Sequence, residues 1–201
     1  MTNLLDSHRG THTMTTNPLT HHTLGETHPI VPTLRRLIAG YAIPTHQIRV
    51  GDVGGWVERA EQVTDDAWVA DEAAVTSTST VTGHARVTDH ALVTGHATVT
   101  GHARVSGSAW ITDYAVVTGN AVIAGDATVS GSARVSGTAW ITGNATVTGY
   151  ATVSGDATVD GNVTVAGHAK VLYREHAAQV RAYFETQVQA QIAAEITEEA
   201  K

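Results

Sequence analysis

The chain has 201 residues, a mass of 21.0 kDa and no cysteine, which excludes disulfides, thiolate metal sites and a cysteine nucleophile. Its 12 lysines and arginines against 19 aspartates and glutamates give a formal charge of −7, which argues against broad nucleic-acid binding. The length suits one domain with appendages. No apolar run reaches the length of a membrane span and residues 1–20 lack a secretion-signal pattern, so we expect a protein in the cytoplasm.

The first 52 residues divide into two segments of different composition. Residues 1–33 are rich in threonine, histidine, asparagine and proline without an apolar period, which predicts a flexible low-complexity arm. Residues 34–38 and 47–50 have the pattern of two short strands. Because an open first coil would expose strand edges and apolar interior, we expect residues 34–52 to cap the repeats that follow.

Residues 53–172 are twenty hexapeptides of one pattern: Gly or Asp, a polar residue, Ala, a variable residue, Val or Ile, then a small hydroxyl residue. Ala and the aliphatic residue are two apart, so in an extended chain they share a face. The Gly and its polar neighbour supply a corner. Regular spacing without longer loops favours a coil over stacked hairpins. The pattern therefore predicts an all-β solenoid of parallel strands, with three hexapeptides to each triangular coil and about six to seven coils.

The last segment, residues 173–201, contains neither Gly nor Pro and is rich in helix-forming residues. Its apolar residues recur at steps of three and four, which is the period of a single apolar stripe on a helix. We predict an amphipathic C-terminal helix that folds back along the solenoid or joins helices of partner chains.

One segment resembles a known family. The sequence GDVGGWVE at residues 51–58, followed by QVT at 62–64 and AWV at 67–69, is similar to the first repeats of YdcK-like hexapeptide-repeat proteins, found in bacterial chromosomes, prophages and phages. Their pattern is roughly GDLGGWIE, NLS and AWV, and the similarity covers about residues 34–172. The resemblance implies a left-handed parallel β-helix. It transfers no catalytic residue, because the family has no settled activity.

Outward tryptophans and arginines predict an interaction surface, because the narrow core needs neither residue and both are enriched at interfaces. At three hexapeptides per coil, one side carries Trp68, Arg86, Arg104 and Trp140, and the next side carries Trp110. Hexapeptide β-helices commonly trimerise, so we expect a homotrimer. The alternative is that these are scattered surface aromatics without a partner.

Histidines recur every six residues from His84 to His102, but only those two share a corner, since three hexapeptides make one coil. Two ligands are too few for a zinc site, which takes three or four protein groups. We interpret His84 and His102 as polar corner residues. The alternative is a metal or anion site on the axis of an oligomer. Within one chain we predict no metal and no cofactor.

These observations predict a non-catalytic structural or binding protein with no catalytic residues. The resemblance and the arm–solenoid–helix layout favour a phage or prophage virion component, a decoration or fibre-like protein whose arm binds other virion or host proteins. Neither nucleic acid nor a membrane is expected as a partner.

Two alternatives stay open. One is a hexapeptide acyltransferase with active sites between subunits, where His84, His102 or His168 would act as the base. The repeats contain no loop to shape its pocket. The other is a phage accessory protein that binds a host factor or sequesters a small nucleotide signal between chains.

Overall fold

The computed structural model describes residues 22–172, so the predicted C-terminal helix and most of the predicted arm lie outside the described residues. The described part of the chain begins with three strands, β1 (His22–Thr27), β2 (Arg35–Ala39) and β3 (Val53–Val57). Two 3-10 turns lie at Pro44–His46 and Ala60–Gln62. From Trp68 onward, two-residue strands recur every six residues, as the hexapeptides predict.

These short strands all begin at the variable residue of a hexapeptide and end at its aliphatic residue. They are β4 (Trp68–Val69), β5 (Ala74–Val75), β6 (Thr80–Val81), β7 (Arg86–Val87), β8 (Leu92–Val93), β9 (Thr98–Val99), β10 (Arg104–Val105), β11 (Trp110–Ile111), β12 (Val116–Val117), β13 (Val122–Ile123), β14 (Thr128–Val129), β15 (Arg134–Val135), β16 (Trp140–Ile141), β17 (Thr146–Val147), β18 (Thr152–Val153), β19 (Thr158–Val159), β20 (Thr164–Val165) and β21 (Lys170–Val171).

Three sheets form the sides of the solenoid. Face 1 has the strand order β1-β2-β3-β5-β8-β11-β14-β17-β20, face 2 the order β4-β7-β10-β13-β16-β19, and face 3 the order β6-β9-β12-β15-β18-β21. Each short strand pairs in parallel with strands one coil away, as Val105 does with Val87 and Ile123. Three hexapeptides therefore make one coil. The prediction of an all-β parallel solenoid is confirmed, with about six coils.

The interior is filled by the two inward residues of each hexapeptide. Ala109 and Ile111 are fully buried, and their counterparts from Ala67 to Val159 are buried too, with Ser79 in place of Ala in one hexapeptide. Small residues let neighbouring coils approach closely at the corners as well. A Cβ placed on Gly137 would lie 2.6 Å from the carbonyl oxygen of Gly155 in the next coil, and Gly137 has a φ of +69°. The Gly of the hexapeptide is thus required by both backbone conformation and space.

β1 falls within the segment expected to be a flexible arm, so that expectation is wrong for His22–Thr27. β1 pairs antiparallel with β2, which pairs antiparallel with β3, and the two strands extend face 1 beyond the first coil. The segment has a single large aliphatic residue, Leu24, and no apolar period. It is ordered by long-range pairing and by burial of His22, and neither is visible in local sequence.

The expectation of a strand at residues 47–50 is also wrong. Pro44 opens a 3-10 turn, which fits its fixed φ, and Gln47 follows with a left-handed φ of 60°. An isolated bridge joins Ile43 to Ile48 instead of a strand. The pattern failed here because a turn with left-handed backbone reverses the chain after a few residues.

The corner at Asp113 tests how a side chain is tolerated at positive φ. Asp113 has a φ of 59°, and its Oδ2 accepts a hydrogen bond from the Gly131 N–H at 2.8 Å in the next coil. Asp113→Ala keeps the strained backbone and loses this bond, so it should lower the free energy of unfolding by about 2 kcal/mol. Asp113→Gly loses the bond but relieves the strain, and should cost only about 1 kcal/mol or less. Urea unfolding measures both variants, and equal losses would contradict the assignment of strain.

Candidate functional site

Trp68, expected on the outer surface, is buried with only 1% of its surface exposed. The ring of His22 in β1 lies 5.5 Å from the Trp68 ring between centroids. Gly54 in β3 approaches so closely that a Cβ there would meet the indole at 2.8 Å. The segment before the repeats, residues 22–52, thus packs over the first coil of face 2, and we call it the cap. The expectation that Trp68 contributes to an exposed surface is wrong, because in this chain it is a core residue beneath the cap.

The other predicted surface residues lie on two faces. Arg86, Arg104, Val122 and Trp140 follow one another in register along face 2, one residue per coil. Arg104 and Trp140 are exposed, Trp140 by 55%, and Arg86 is half-buried. Trp110 is exposed by 54% on face 1. The structure therefore brings together three of the five predicted residues and places Trp110 apart from them.

Two like charges stand side by side on face 2. Arg86 and Arg104 are directly paired across neighbouring strands, an arrangement that is unfavourable without a neutralising partner. Among the described residues, the ion pairs of arginines involve Arg36 and Arg59 and not these two. Face 2 therefore presents positive charge and an exposed indole that the described part of the chain does not itself neutralise or cover.

The corner between faces 3 and 2 carries the predicted pair of histidines. The rings of His84 and His102 stack with centroids 4.7 Å apart and planes 11° from parallel. In the coil before them, Asp66 places its Oδ2 3.4 Å from Nδ1 of His84. Within residues 22–172, no group of three or more histidine, cysteine or carboxylate side chains is arranged to hold a metal ion. The stack thus places the two histidines in contact without making a metal site within the described chain.

The corner between faces 1 and 3 carries exposed aromatic stacks that sequence reasoning did not pair. His96 stacks on Tyr114 at 4.8 Å, and Tyr150 stacks on His168 at 5.1 Å. Each pair lies one coil apart, so the same 18-residue period that stacks His84 on His102 could have found both. These stacks show that corner rings of adjacent coils meet as a consequence of the repeat.

Arg36 joins the cap to the first coils through a set of contacts that we call the Arg36 latch. Its guanidinium carbon lies 3.8 Å from the centroid of the Trp56 ring. Nη2 donates to Glu72 Oε1 at 2.6 Å, and Nη1 donates to the carbonyl oxygens of Gly54 at 3.2 Å and Asp71 at 2.5 Å. Trp56 Nε1 donates to Glu72 Oε2 at 2.8 Å. One charged side chain of β2 thus binds both β3 and the corner after β4.

A second contact joins the cap to the corner of His84. The hydroxyl of Tyr41 donates to the carbonyl oxygen of Asp65 and lies 3.1 Å from Asp66 Oδ1. Burial, followed by the bond to Asp66 and the charges of Asp66 and Asp65, raises the pKa of Tyr41 to about 12. The hydroxyl therefore stays protonated and keeps donating across the physiological range of pH.

His46, at the end of the 3-10 turn, lies against the same corner and was not singled out in the sequence. Burial is the main cause that lowers its pKa, followed by the charge of Arg86, with a smaller effect from His84. Backbone groups of Asp66 and His84 act in the opposite direction. No sequence signal marks His46, because it lies outside the repeats and its position depends on how the turn folds back.

Comparison with known proteins finds no family model that matches the chain, and no curated protein matches its sequence. Among residues 22–172 there is no helix of the length and apolar character needed to cross a membrane. The structural features above are therefore the basis for assigning a function.

The Arg36 latch predicts a dependence of stability on pH. The hydrogen bonds from Trp56 and Arg36 lower the pKa of Glu72 in the folded protein. The ionised Glu72 therefore adds to the free energy of unfolding above the ordinary glutamate pKa, and this stabilisation is lost as the pH falls through the lowered pKa of the folded state. We expect Glu72→Gln to lower the melting temperature at neutral pH and to make little difference in acid. Thermal unfolding of both proteins between about pH 7 and about pH 3 checks this.

The matched control is Glu61→Gln, because Glu61 is an exposed carboxylate of the neighbouring 3-10 turn. It should leave the melting temperature nearly unchanged throughout. A Glu72→Gln deficit that stayed constant down to acid pH would show that the carboxylate charge is not what the latch uses.

Proposed function

We propose that this chain is a non-catalytic β-helix that acts as a structural and binding module by assembling into a homotrimer through face 2. The observation that carries the proposal is the exposed Trp140, aligned with Val122 and Arg104 on a sheet of regular strands. Tryptophan and arginine are the residues most enriched at the energetic centres of interfaces. A sheet face that carries an exposed indole is suited to packing against another such face.

The regularity of the coils supports a binding role over catalysis. From β4 to β21 the strands follow one another at six-residue steps, and no longer loop leaves the solenoid in that part of the chain. An acyltransferase needs concave walls around its acceptor, and hexapeptide enzymes obtain them from such loops. Regular faces instead offer an extended surface on which another protein can pack.

We further propose the left-handed form of the β-helix and membership of the YdcK-like group. The support is the hexapeptide period together with the Gly-Gly-Trp segment, in which Gly54 and Gly55 are buried and Trp56 holds the latch to Arg36. A phage or prophage virion component, of the decoration or fibre-like kind, is the role we propose for the trimer. Six coils spaced about 4.8 Å apart give a rigid spacer roughly 30 Å tall, suited to that role.

Light scattering behind a sizing column tests the assembly. The full chain should have a mass near three times 21.0 kDa. Trp140→Ser should shift this mass toward a single chain, because truncation of a tryptophan that is an interface hot spot typically costs about 2 kcal/mol or more of binding free energy. A mass of one chain for the unaltered protein would overturn the trimer.

Trp110→Ser is the matched control, since Trp110 is as exposed as Trp140 but lies on face 1. It should keep the mass of the trimer. If Trp110→Ser dissociated the trimer and Trp140→Ser did not, the interface would be face 1. If neither variant changed the mass, the proposed role of the aromatic residues would be wrong.

A further inference from the structure

The corner between faces 1 and 3 carries one outward side chain in each coil. In chain order these side chains belong to Thr78, His96, Tyr114, Ser132, Tyr150 and His168. The rings form two separate stacks, His96 on Tyr114 and Tyr150 on His168. At this corner only Ser132 lies between the two stacks. We call the space over Ser132, bounded by the rings of Tyr114 and Tyr150, the corner slot.

Backbone hydrogen bonds fix the three residues of the corner slot in successive coils. The Tyr114 N–H donates to the carbonyl oxygen of Gly131 at 2.8 Å, and the Ser132 N–H donates to that of Gly149 at 2.7 Å. Tyr114 and Tyr150 are therefore two coils apart, which corresponds to about 10 Å at the spacing of parallel strands. The width of the slot is thus set by the sheets, because they hold the coils at this distance.

The two stacks show how rings are arranged at this corner. Their centroids are 4.8 Å and 5.1 Å apart, and their planes are 7° and 5° from parallel. A ring over Ser132 would lie one coil from each tyrosine, within the range of about 4.5–7 Å that aromatic pairs favour. Tyr114 and Tyr150 remain 63% and 64% exposed although a histidine covers one face of each. The slot is therefore open to solvent and has the width for one aromatic ring.

The charges beside the corner slot are balanced. Asp113 precedes Tyr114, and its Oδ2 already accepts a hydrogen bond from a backbone N–H of the next coil at 2.8 Å. Arg134 is exposed and follows Ser132 by two residues, so both side chains leave the strand on its outward side. Residues 148–152, around Tyr150, carry no charge. One negative and one positive group therefore favour an uncharged ring, and Ser132 and Arg134 supply hydrogen-bond donors for its edge.

We propose that the corner slot binds the flat ring of a free purine, as a base or a nucleoside. The ring stacks between Tyr114 and Tyr150, and its acceptor edge takes hydrogen bonds from Ser132 and Arg134. A 6-oxopurine presents two neighbouring acceptors, O6 and N7, and arginine pairs well with such an edge. Indole has one donor and no acceptor in its ring plane, so these donors disfavour the side chain of a partner protein.

A free purine fits better than a nucleic-acid strand. The formal charge of −7 repels a chain of phosphates, whereas stacking of one uncharged base needs no positive surface. The corner slot is complete within one chain and lies across the solenoid from face 2. Purine binding and assembly through face 2 are therefore independent, and either can fail without the other.

Inosine, a 6-oxopurine nucleoside, is the probe that tests the slot. When the full chain is added, the ring protons of inosine should shift upfield in NMR spectra, because protons held between two aromatic rings are shielded. Titration calorimetry gives the dissociation constant. Tyr150→Ala should raise it by about tenfold or more, as expected for the loss of one base–aromatic stack. His102→Ala is the matched control, since it removes a stacked ring from another corner, and it should leave the dissociation constant unchanged.

Ser132→Tyr fills the corner slot with a ring of the chain itself. Tyrosine already occupies this position one coil before and one coil after, so the variant should melt no lower than the unaltered protein. It should nevertheless give no inosine shift, because the added ring lies where the purine would stack. Equal inosine binding by the folded variant would overturn the proposal. So would the absence of any inosine shift with the unaltered protein.

N-acetyltryptophanamide, an uncharged indole, is the second probe. We expect inosine to bind more tightly than this indole, and Arg134→Gln to weaken inosine binding several-fold while leaving the binding of the indole unchanged. The opposite preference, abolished by Ser132→Tyr, would overturn the purine assignment and show that the slot receives an aromatic side chain of a partner protein.

Discussion

The narrow interior of the solenoid is the constraint on which the rest of the structure depends. From Ala67 to Val159 each hexapeptide sends one small residue, Ala in every case but Ser79, and one Val or Ile inward, and these side chains are buried. The hydrogen bonds between parallel strands hold neighbouring coils about 4.8 Å apart. At that spacing neighbouring corners approach so closely that Gly137 has no room for a Cβ. Core size, corner backbone and coil spacing are therefore one interlocked condition, repeated at every coil and adding stability layer by layer.

A solenoid of stacked coils has an exposed end at its first coil, and here the cap covers that end. Parallel strands leave unpaired backbone groups at the end of each sheet, which would attract other chains. β2 and β1 extend face 1 with antiparallel pairs, Arg36 fixes the cap to Trp56 and Glu72, and Trp68 is covered. Residues that face outward elsewhere on face 2 become core here. A periodic rule for outward positions therefore holds along the middle of the solenoid and fails under its cap.

The repeat made the solenoid predictable down to the residue pairing, because period six fixes which side chains point inward and period 18 fixes which ones meet. Arg86 beside Arg104 and His84 beside His102 follow from that arithmetic alone. The cap was not predictable in the same way. β1 is held by long-range pairing. Gln47 adopts a left-handed backbone at the end of the 3-10 turn, and the position of His46 depends on that turn. None of these depends on a period, so local sequence carries no signal for them.

The two regions divide the possible functions between them. A regular face offers the same backbone at every coil, so its chemistry is limited to what single outward residues such as Trp140 and Arg104 provide, which suits broad contact with another regular face. A junction between a turn and a corner breaks the period and can gather side chains from distant positions. His46 and Arg86 are 40 residues apart in the chain, yet the charge of one lowers the pKa of the other. The faces therefore suit contact with another regular surface, whereas the contact between cap and corner is where the chain departs from its repeat.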